Sequence, residues 1–95
     1  MVIRSFKDKD AEVFFEKGTI PRKKGWAHTS KSAKRKLDML HYSKSIKDLK
    51  SPPNNRLESL KGKLKGYYSI RINNQWRIIF KWDKEPYNVN IIDYH

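Results

Sequence analysis

Hydrophobic and polar residues alternate with a period of two from Tyr67 to Trp82, YYSIRINNQWRIIFKW, and this is the strongest structural signal in the chain. Tyr68, Ile70 and Ile72 alternate with Ser69, Arg71 and Asn73; Trp76, Ile78, Phe80 and Trp82 alternate with Arg77, Ile79 and Lys81. Asn73-Asn74 between the runs supplies residues that tolerate positive φ, so the stretch is expected to be a β-hairpin. One face is then a core wall, with Trp76, Phe80 and Trp82 as packing. The other carries Arg71, Arg77 and Lys81 as a row of cations on stiff backbone, which aims a guanidinium better than a loop does.

The other patterns arrange themselves around this hairpin. Val2 to Lys7 reads as a short strand, with Val2, Arg4 and Phe6 on one side and Ile3 and Ser5 on the other. Asp8 or Asp10 can cap a helix over Ala11 to Lys17, stopped by Gly18 and buried through Phe14 and Phe15. Residues 19 to 29 read as loop. Thr29 or Ser30 then caps a second helix to about His41, with Ser30, Ala33, Leu37 and Leu40 on one face and Lys31, Lys34, Arg35 and Lys36 on the other. Ser45 to Leu49 reads as one helical turn, and Ser51-Pro52-Pro53-Asn54-Asn55 as a loop.

Arg56 to Lys61 reads as a strand leading into Gly62-Lys63-Leu64-Lys65-Gly66, a basic segment whose flanking glycines suit close approach to a phosphate. Tyr67 or Tyr68 beside it is a candidate for stacking on a base. Lys84-Glu85-Pro86 turns the chain into YNVNIIDYH, a last strand with Val89, Ile91, Asp93 and His95 on one face and Ile92 and Tyr94 on the other. A strand, two helices and four strands make an α+β domain with a twisted, mainly antiparallel sheet packed against two N-terminal helices.

Composition adds what the partner is. The 95 residues suffice for one domain, 1–95, with one modest core. Lys and Arg number 22 against 10 Asp and Glu, a net charge of +12, which points to a polyanionic partner: RNA, DNA, a ribosome or an acidic protein. The run Arg22, Lys23, Lys24, Lys31, Lys34, Arg35 and Lys36 contains no acid from Arg22 to Lys36. It is either the solvated face of a helix or an anion-binding surface that supplies affinity without chemistry. Without cysteine there is no disulfide framework or thiolate metal site. The N-terminus does not resemble a signal peptide and no apolar run approaches the ~18 residues that span a membrane. The expectation is a soluble, cytoplasmic protein with no membrane partner.

The residue types also narrow the chemistry. His28, His41 and His95 lack paired spacing and the acids are scattered, so neither a metal nor another cofactor is expected. No nucleophile elbow and no phosphate-cradling glycine loop of nucleotide-binding type is present. Metal-independent phosphoryl chemistry remains: a base for the ribose 2′-OH, cations for the charge growing on the phosphate, and an acid for the 5′-oxygen. Asp93-Tyr94-His95 places a carboxylate, a phenol and an imidazole together.

The stretches IRSF at Ile3 to Phe6, SPPNNRLESLKG from Ser51 to Gly62, SIRINNQWRIIF from Ser69 to Phe80, and DYH resemble the HigB branch of the RelE superfamily, most of all its GraT-like members. The resemblance implies the RelE-like fold and the toxin of a type II toxin–antitoxin operon. It implies ribosome-dependent, metal-independent cleavage of mRNA, and neutralisation by a HigA- or GraA-like helix-turn-helix antitoxin. Partners are then that antitoxin, the ribosome with its rRNA, and mRNA, with operator DNA reached only through the antitoxin.

Residue by residue, it implies Lys61 and Arg77 as phosphate clamps, and His95, Tyr94 and Asp93 as proton-transfer and substrate-positioning groups. Many relatives have a histidine where this chain has Glu58, which is either a base or an ion-paired structural residue beside Lys61. Arg77 has an alternative role too, pairing with Asp93 across adjacent strands. Lys23, Lys24, Lys31, Lys34, Arg35, Arg56, Lys63, Lys65 and Arg71 are the candidate RNA-binding cations. Two other readings stay open: a ParE-like inhibitor of DNA gyrase, and an RNA- or ribosome-binding module without catalysis.

Overall fold

In a computed structural model, which describes residues 3–94, two α-helices precede a four-stranded sheet. Helix α1, Lys9–Lys17, starts where the Asp8 side chain accepts from the Ala11 N–H at 3.1 Å and ends at Gly18, whose φ of 74° is the left-handed stop that glycine permits. It buries Ala11 and Phe14. The loop after it is not wholly irregular: Gly25–Thr29 forms a 3-10 turn that buries Trp26 edge-on to Phe14 at 5.1 Å.

Helix α2, Ser30–Tyr42, buries Ala33, Leu37 and Leu40 as the periodicity requires, but also Lys36, which the charge pattern put on the exposed face. Thr29 makes no side-chain cap; its hydroxyl donates to the Trp26 carbonyl instead. Two further 3-10 turns follow, Ile46–Lys50 and Pro53–Asn55.

Strands β1 (Glu58–Ser59), β2 (Tyr68–Arg71), β3 (Trp76–Asp83) and β4 (Glu85–Asp93) lie in that spatial order, each antiparallel to the next. The strand expected over Arg56 to Lys61 shrinks to two residues because Arg56 adopts a left-handed φ of 47°. At the hairpin tip Asn73 and Asn74 are not among the positive-φ residues. The turn is held instead by Asn73 Oδ1, which accepts from the backbone N–H groups of Gln75 and Trp76 at 2.9 and 2.8 Å. Positive φ appears at Lys84, in the tight β3–β4 turn, and at Asn88, beside the register shift between Ile79 and Lys81.

The expected N-terminal strand is only a bridge, Phe6 to Val89, running parallel to β4. Its backbone bonds are Arg4 N–H to the Pro86 carbonyl and Lys7 N–H to the Val89 carbonyl, both at 2.8 Å, and Val89 N–H to the Ser5 carbonyl at 3.1 Å. Ile3 and Phe6 both pack on the core, so the expected alternation fails there. The Arg4 side chain explains why, since it is pinned to Glu85 at 2.9 Å and to the Asp83 carbonyl at 2.7 Å. Val2, at the start of that expected strand, lies outside the described residues.

The main core joins Phe14, Trp26, Leu37 and Leu40 to Ile70, Ile78, Phe80, Val89 and Ile91 from one sheet face. Trp76 and Trp82 pack on it only half-buried. The opposite face is not the open row of cations that alternation suggests. The segment from Leu60 to Tyr67 folds over it, and Leu60, Tyr67 and Ile79 form a second buried cluster. Tyr67 is therefore packing, with Lys7 and Lys81 over its ring at 5.8 and 5.1 Å, and the half-buried Tyr68 stacks one ring face on Phe80 at 6.0 Å. Gly62 and Gly66, with φ of 66° and 95°, make the bends that let this segment turn back. Among the described residues no helix is long and apolar enough to cross a membrane.

Gly25 lies against the Trp76 ring. A Cβ built there would sit 2.6 Å from Trp76 Cζ2, inside van der Waals contact. Gly25→Ala is expected to cost about 1–3 kcal/mol by overpacking and, at about 4–8 °C per kcal/mol for a domain of this size, to lower Tm clearly. Thermal denaturation by circular dichroism measures it.

Candidate functional site

Arg77 is the residue that the sheet positions most firmly. It sits in β3 opposite Arg71 of β2, and only 8% of it is exposed. Its Nε donates to Ser69 Oγ at 2.8 Å, and its Nη2 donates to the Arg56 carbonyl at 2.5 Å and lies 3.3 Å from a Glu58 carboxylate oxygen. Ser69 belongs to β2 and pairs in register with Glu58 of β1, so three strands and the left-handed turn at Arg56 hold one guanidinium. Burial pushes the Arg77 pKa down from its ordinary value, and Glu58 partly offsets this. An arginine stays charged regardless.

Beside Arg77 opens a cleft of about 140 Å³ lined by Arg56, Arg71, Asn73, Asn74, Arg77 and Tyr94. Arg71 is aimed by the hairpin tip: its Nε donates to the Asn73 carbonyl at 3.0 Å and its Nη2 to Asn74 Oδ1. Three guanidinium groups thus share the cleft wall, and among the described residues no carboxylate side chain lines it. Like charges at opposed strand positions, as at Arg71 and Arg77, destabilise a sheet. An anion bound between them reverses that cost.

The sequence candidates divide accordingly. Arg77, Tyr94, Arg56 and Arg71 meet in the cleft. Glu58 is joined to it through its ion pair, whose partner is Arg77 and not Lys61, and Arg77 takes Glu58 as its carboxylate partner in place of Asp93. The Asp93 carboxylate accepts from Gln75 Nε2 at 3.0 Å. Lys61 is exposed at the start of the Gly62–Leu64 turn, outside the cleft lining, and Lys63 and Lys65 are exposed beyond it. His95 lies outside the described residues.

The basic run is less bare than its sequence suggests. Lys24 pairs with Asp8 at 3.4 Å and Asp10 at 3.8 Å, and Lys34 with Asp38 at 2.5 Å. Lys23, Lys31 and Arg35 are exposed. Asn73, Asn74 and Ser69 were legible only as turn and strand residues, because nothing in their spacing shows that they aim two arginines. Among the described residues no group of three or more His, Cys, Asp or Glu side chains is placed to hold a metal.

A basic cleft on a small α+β sheet is shared by many RNA- and protein-binding folds, and comparison with known proteins distinguishes among them. Residues 4–95 match the pattern of the RelE-like toxin of the type II toxin–antitoxin system HigB. The chain belongs to the HigB-like toxin family. It is 43% identical to Toxin HigB-1 of Vibrio cholerae serotype O1 over 81 residues, 81% of this chain and 80% of that one. It is 32% identical to Endoribonuclease HigB of Proteus vulgaris over 98 residues, 99% of this chain and 100% of that one. It is also 48% identical over 61 residues to an uncharacterized protein of Haemophilus influenzae, 64% of this chain and 60% of that one. As a type II toxin, a HigB-like chain has a cognate antitoxin for a partner.

If Arg77 in this HigB-like toxin is fixed chiefly by its buried neutral acceptors, Ser69→Ala is expected to destabilise the fold by about 1–3 kcal/mol. Glu58→Gln, which removes a charge from a carboxylate that is 51% exposed, is expected to change stability by less than about 1 kcal/mol. Urea denaturation of the two variants checks the ranking.

Proposed function

We propose that this HigB-like toxin cleaves mRNA on the translating ribosome, without a metal, by attack of a ribose 2′-OH on the adjacent phosphate. The observation that carries the reading is the cleft wall of Arg56, Arg71 and Arg77 with Tyr94 beside them. Cationic donors fixed before substrate arrives stabilise the charge that develops on a phosphate in the transition state, because they need no reorganisation at the moment of reaction. The name of the Proteus vulgaris relative, an endoribonuclease, supports the same reaction class.

On this reading Arg77 clamps the scissile phosphate and Lys61 approaches it from the neighbouring turn. Tyr94 and His95 move the protons, and Asp93 positions substrate. Glu58, already engaged by Arg77, orients that arginine and is a poorer candidate for the base. Arg56 and Arg71 hold flanking phosphates. Lys23, Lys31, Arg35, Lys63 and Lys65 supply sequence-independent attraction to rRNA, joined by Lys24 and Lys34 to the extent that their ion pairs open. A helix-turn-helix antitoxin of the HigA or GraA type restrains the toxin and contacts operator DNA for the pair. The reading places the protein in the cytoplasm, where translating ribosomes are.

Mapping mRNA 5′ ends in a translation reaction tests the chemistry. Cuts are expected with the wild type only when ribosomes are present, and Arg77→Ala, shown folded by circular dichroism, is expected to lose about 10²–10³-fold in rate. His95→Ala is expected to abolish the cuts. Absence of cuts in every condition would overturn the nuclease reading, and DNA damage in expressing cells would then favour gyrase as the target.

Arg71→Ala is expected to weaken RNA binding and to flatten the log–log salt dependence by about 0.7, the increment that one single-strand phosphate carries. Fluorescence anisotropy with a single-stranded RNA across a salt series measures both.

A further inference from the structure

Lys36 stands in the middle of the basic run, yet it is 5% exposed while its neighbour Arg35 is exposed. Its Nζ donates to Asn55 Oδ1. An apolar side chain of similar length would fill the same space without burying an ammonium, so the hydrogen bond to Asn55 is what the lysine adds. Asn55 is itself 0% exposed and fixed at every polar side-chain atom. Its Nδ2 donates to the carbonyls of Leu49 at 3.1 Å and Ser51 at 3.4 Å.

The next residue is Arg56, held at a φ of 47° that non-glycine residues seldom adopt. That conformation presents the Arg56 carbonyl to Arg77 Nη2 at 2.5 Å and brings the Arg56 side chain into the cleft wall. A continuous path of contacts therefore leads from α2 to the cleft.

We propose that Lys36 is a positioning residue of the cleft, acting through Asn55 and Arg56 on Arg77, and not a cation of the RNA-facing surface. The proposal deepens the nuclease reading and rests on it only for its cleavage measurement. Burial, with Arg35 adding to it, depresses the Lys36 pKa, which agrees with an ammonium withdrawn from solvent.

The test follows the Arg77 Nε–H signal in a ¹H–¹⁵N spectrum, assigned by its absence in Arg77→Lys. In Lys36→Met the signal is expected to shift or broaden as Arg56 loosens. In Phe14→Leu, which weakens the core away from this loop, it is expected to stay in place. In the ribosome assay Lys36→Met is expected to cut about tenfold more slowly or worse, since small misplacements of catalytic groups cost up to about 10²-fold. Its salt slope should stay closer to that of the wild type than to that of Arg71→Ala, since no charge facing the cleft is removed.

A folded Lys36→Met with an unmoved Arg77 signal overturns the proposal. So does a salt slope reduced as much as by Arg71→Ala, which would make Lys36 a phosphate contact. Should Lys36→Met fail to fold, Asn55→Asp takes its place. It keeps the acceptor for Lys36 and loses the donors to Leu49 and Ser51, and the same displaced or unmoved Arg77 signal decides. A wild type that cuts nothing removes the nuclease reading and leaves the spectroscopic result standing.

Discussion

A guanidinium that is nearly buried and still charged organises the cleft end of this protein. Arg77 is kept in the sheet by Ser69 Oγ, the Arg56 carbonyl and Glu58, contributions from β2, the turn before β1, and β1 itself. Charge cannot be taken from water unless its donors are satisfied. The requirement fixes more than one side chain: it demands a polar residue at Ser69 on an otherwise packed strand and a left-handed backbone at Arg56, with the half-exposed Glu58 carboxylate adding a weaker contact from the edge strand.

The second cluster, Leu60, Tyr67 and Ile79, belongs to the same logic. Folding residues 60–67 over the sheet dries the surface next to Arg77, and a drier surface strengthens the interaction of that cation with any anion in the cleft. Gly62 and Gly66 make the fold-back sterically possible, and Lys81 and Lys7 lie over the Tyr67 ring where their stems cover apolar surface. Membership of the HigB-like toxin family gives this arrangement its biological setting.

The electrostatics of α2 show how charge counting and charge placement differ. Along the chain, Arg22 to Lys36 is a run of cations without an acid. In the folded protein Lys24 meets Asp8 and Asp10 from the start of α1, Lys34 meets Asp38 one turn on, and Lys36 turns inward to Asn55. The net charge still favours a polyanion, but fewer of these lysines are free to meet it than the run implies.

Period-two alternation determined the hairpin, helical composition between Asp8 and Gly18 determined the first helix, and the 3.6 period of Ala33, Leu37 and Leu40 determined the second, because these are local properties of the backbone that hold whatever lies beyond them. The motifs SPPNNRLESLKG and SIRINNQWRIIF determined the family. Tertiary structure alone decided the rest. Alternation assigns residues to a face but cannot say whether that face is covered, so Ile79 read as solvent-facing until residues 60–67 folded over it, and Arg77 until Ser69, Glu58 and the Arg56 turn closed around it. Helical spacing placed Lys36 outside by its residue type, and only Asn55, 19 residues along the chain, could draw it in. For Glu58 and Arg77 the sequence offered Lys61 and Asp93 as the ion-pair partners, each as an alternative to a role in the chemistry. Which ions pair is a matter of distance across strands, and that is set by a register in which Glu58 lies opposite Ser69.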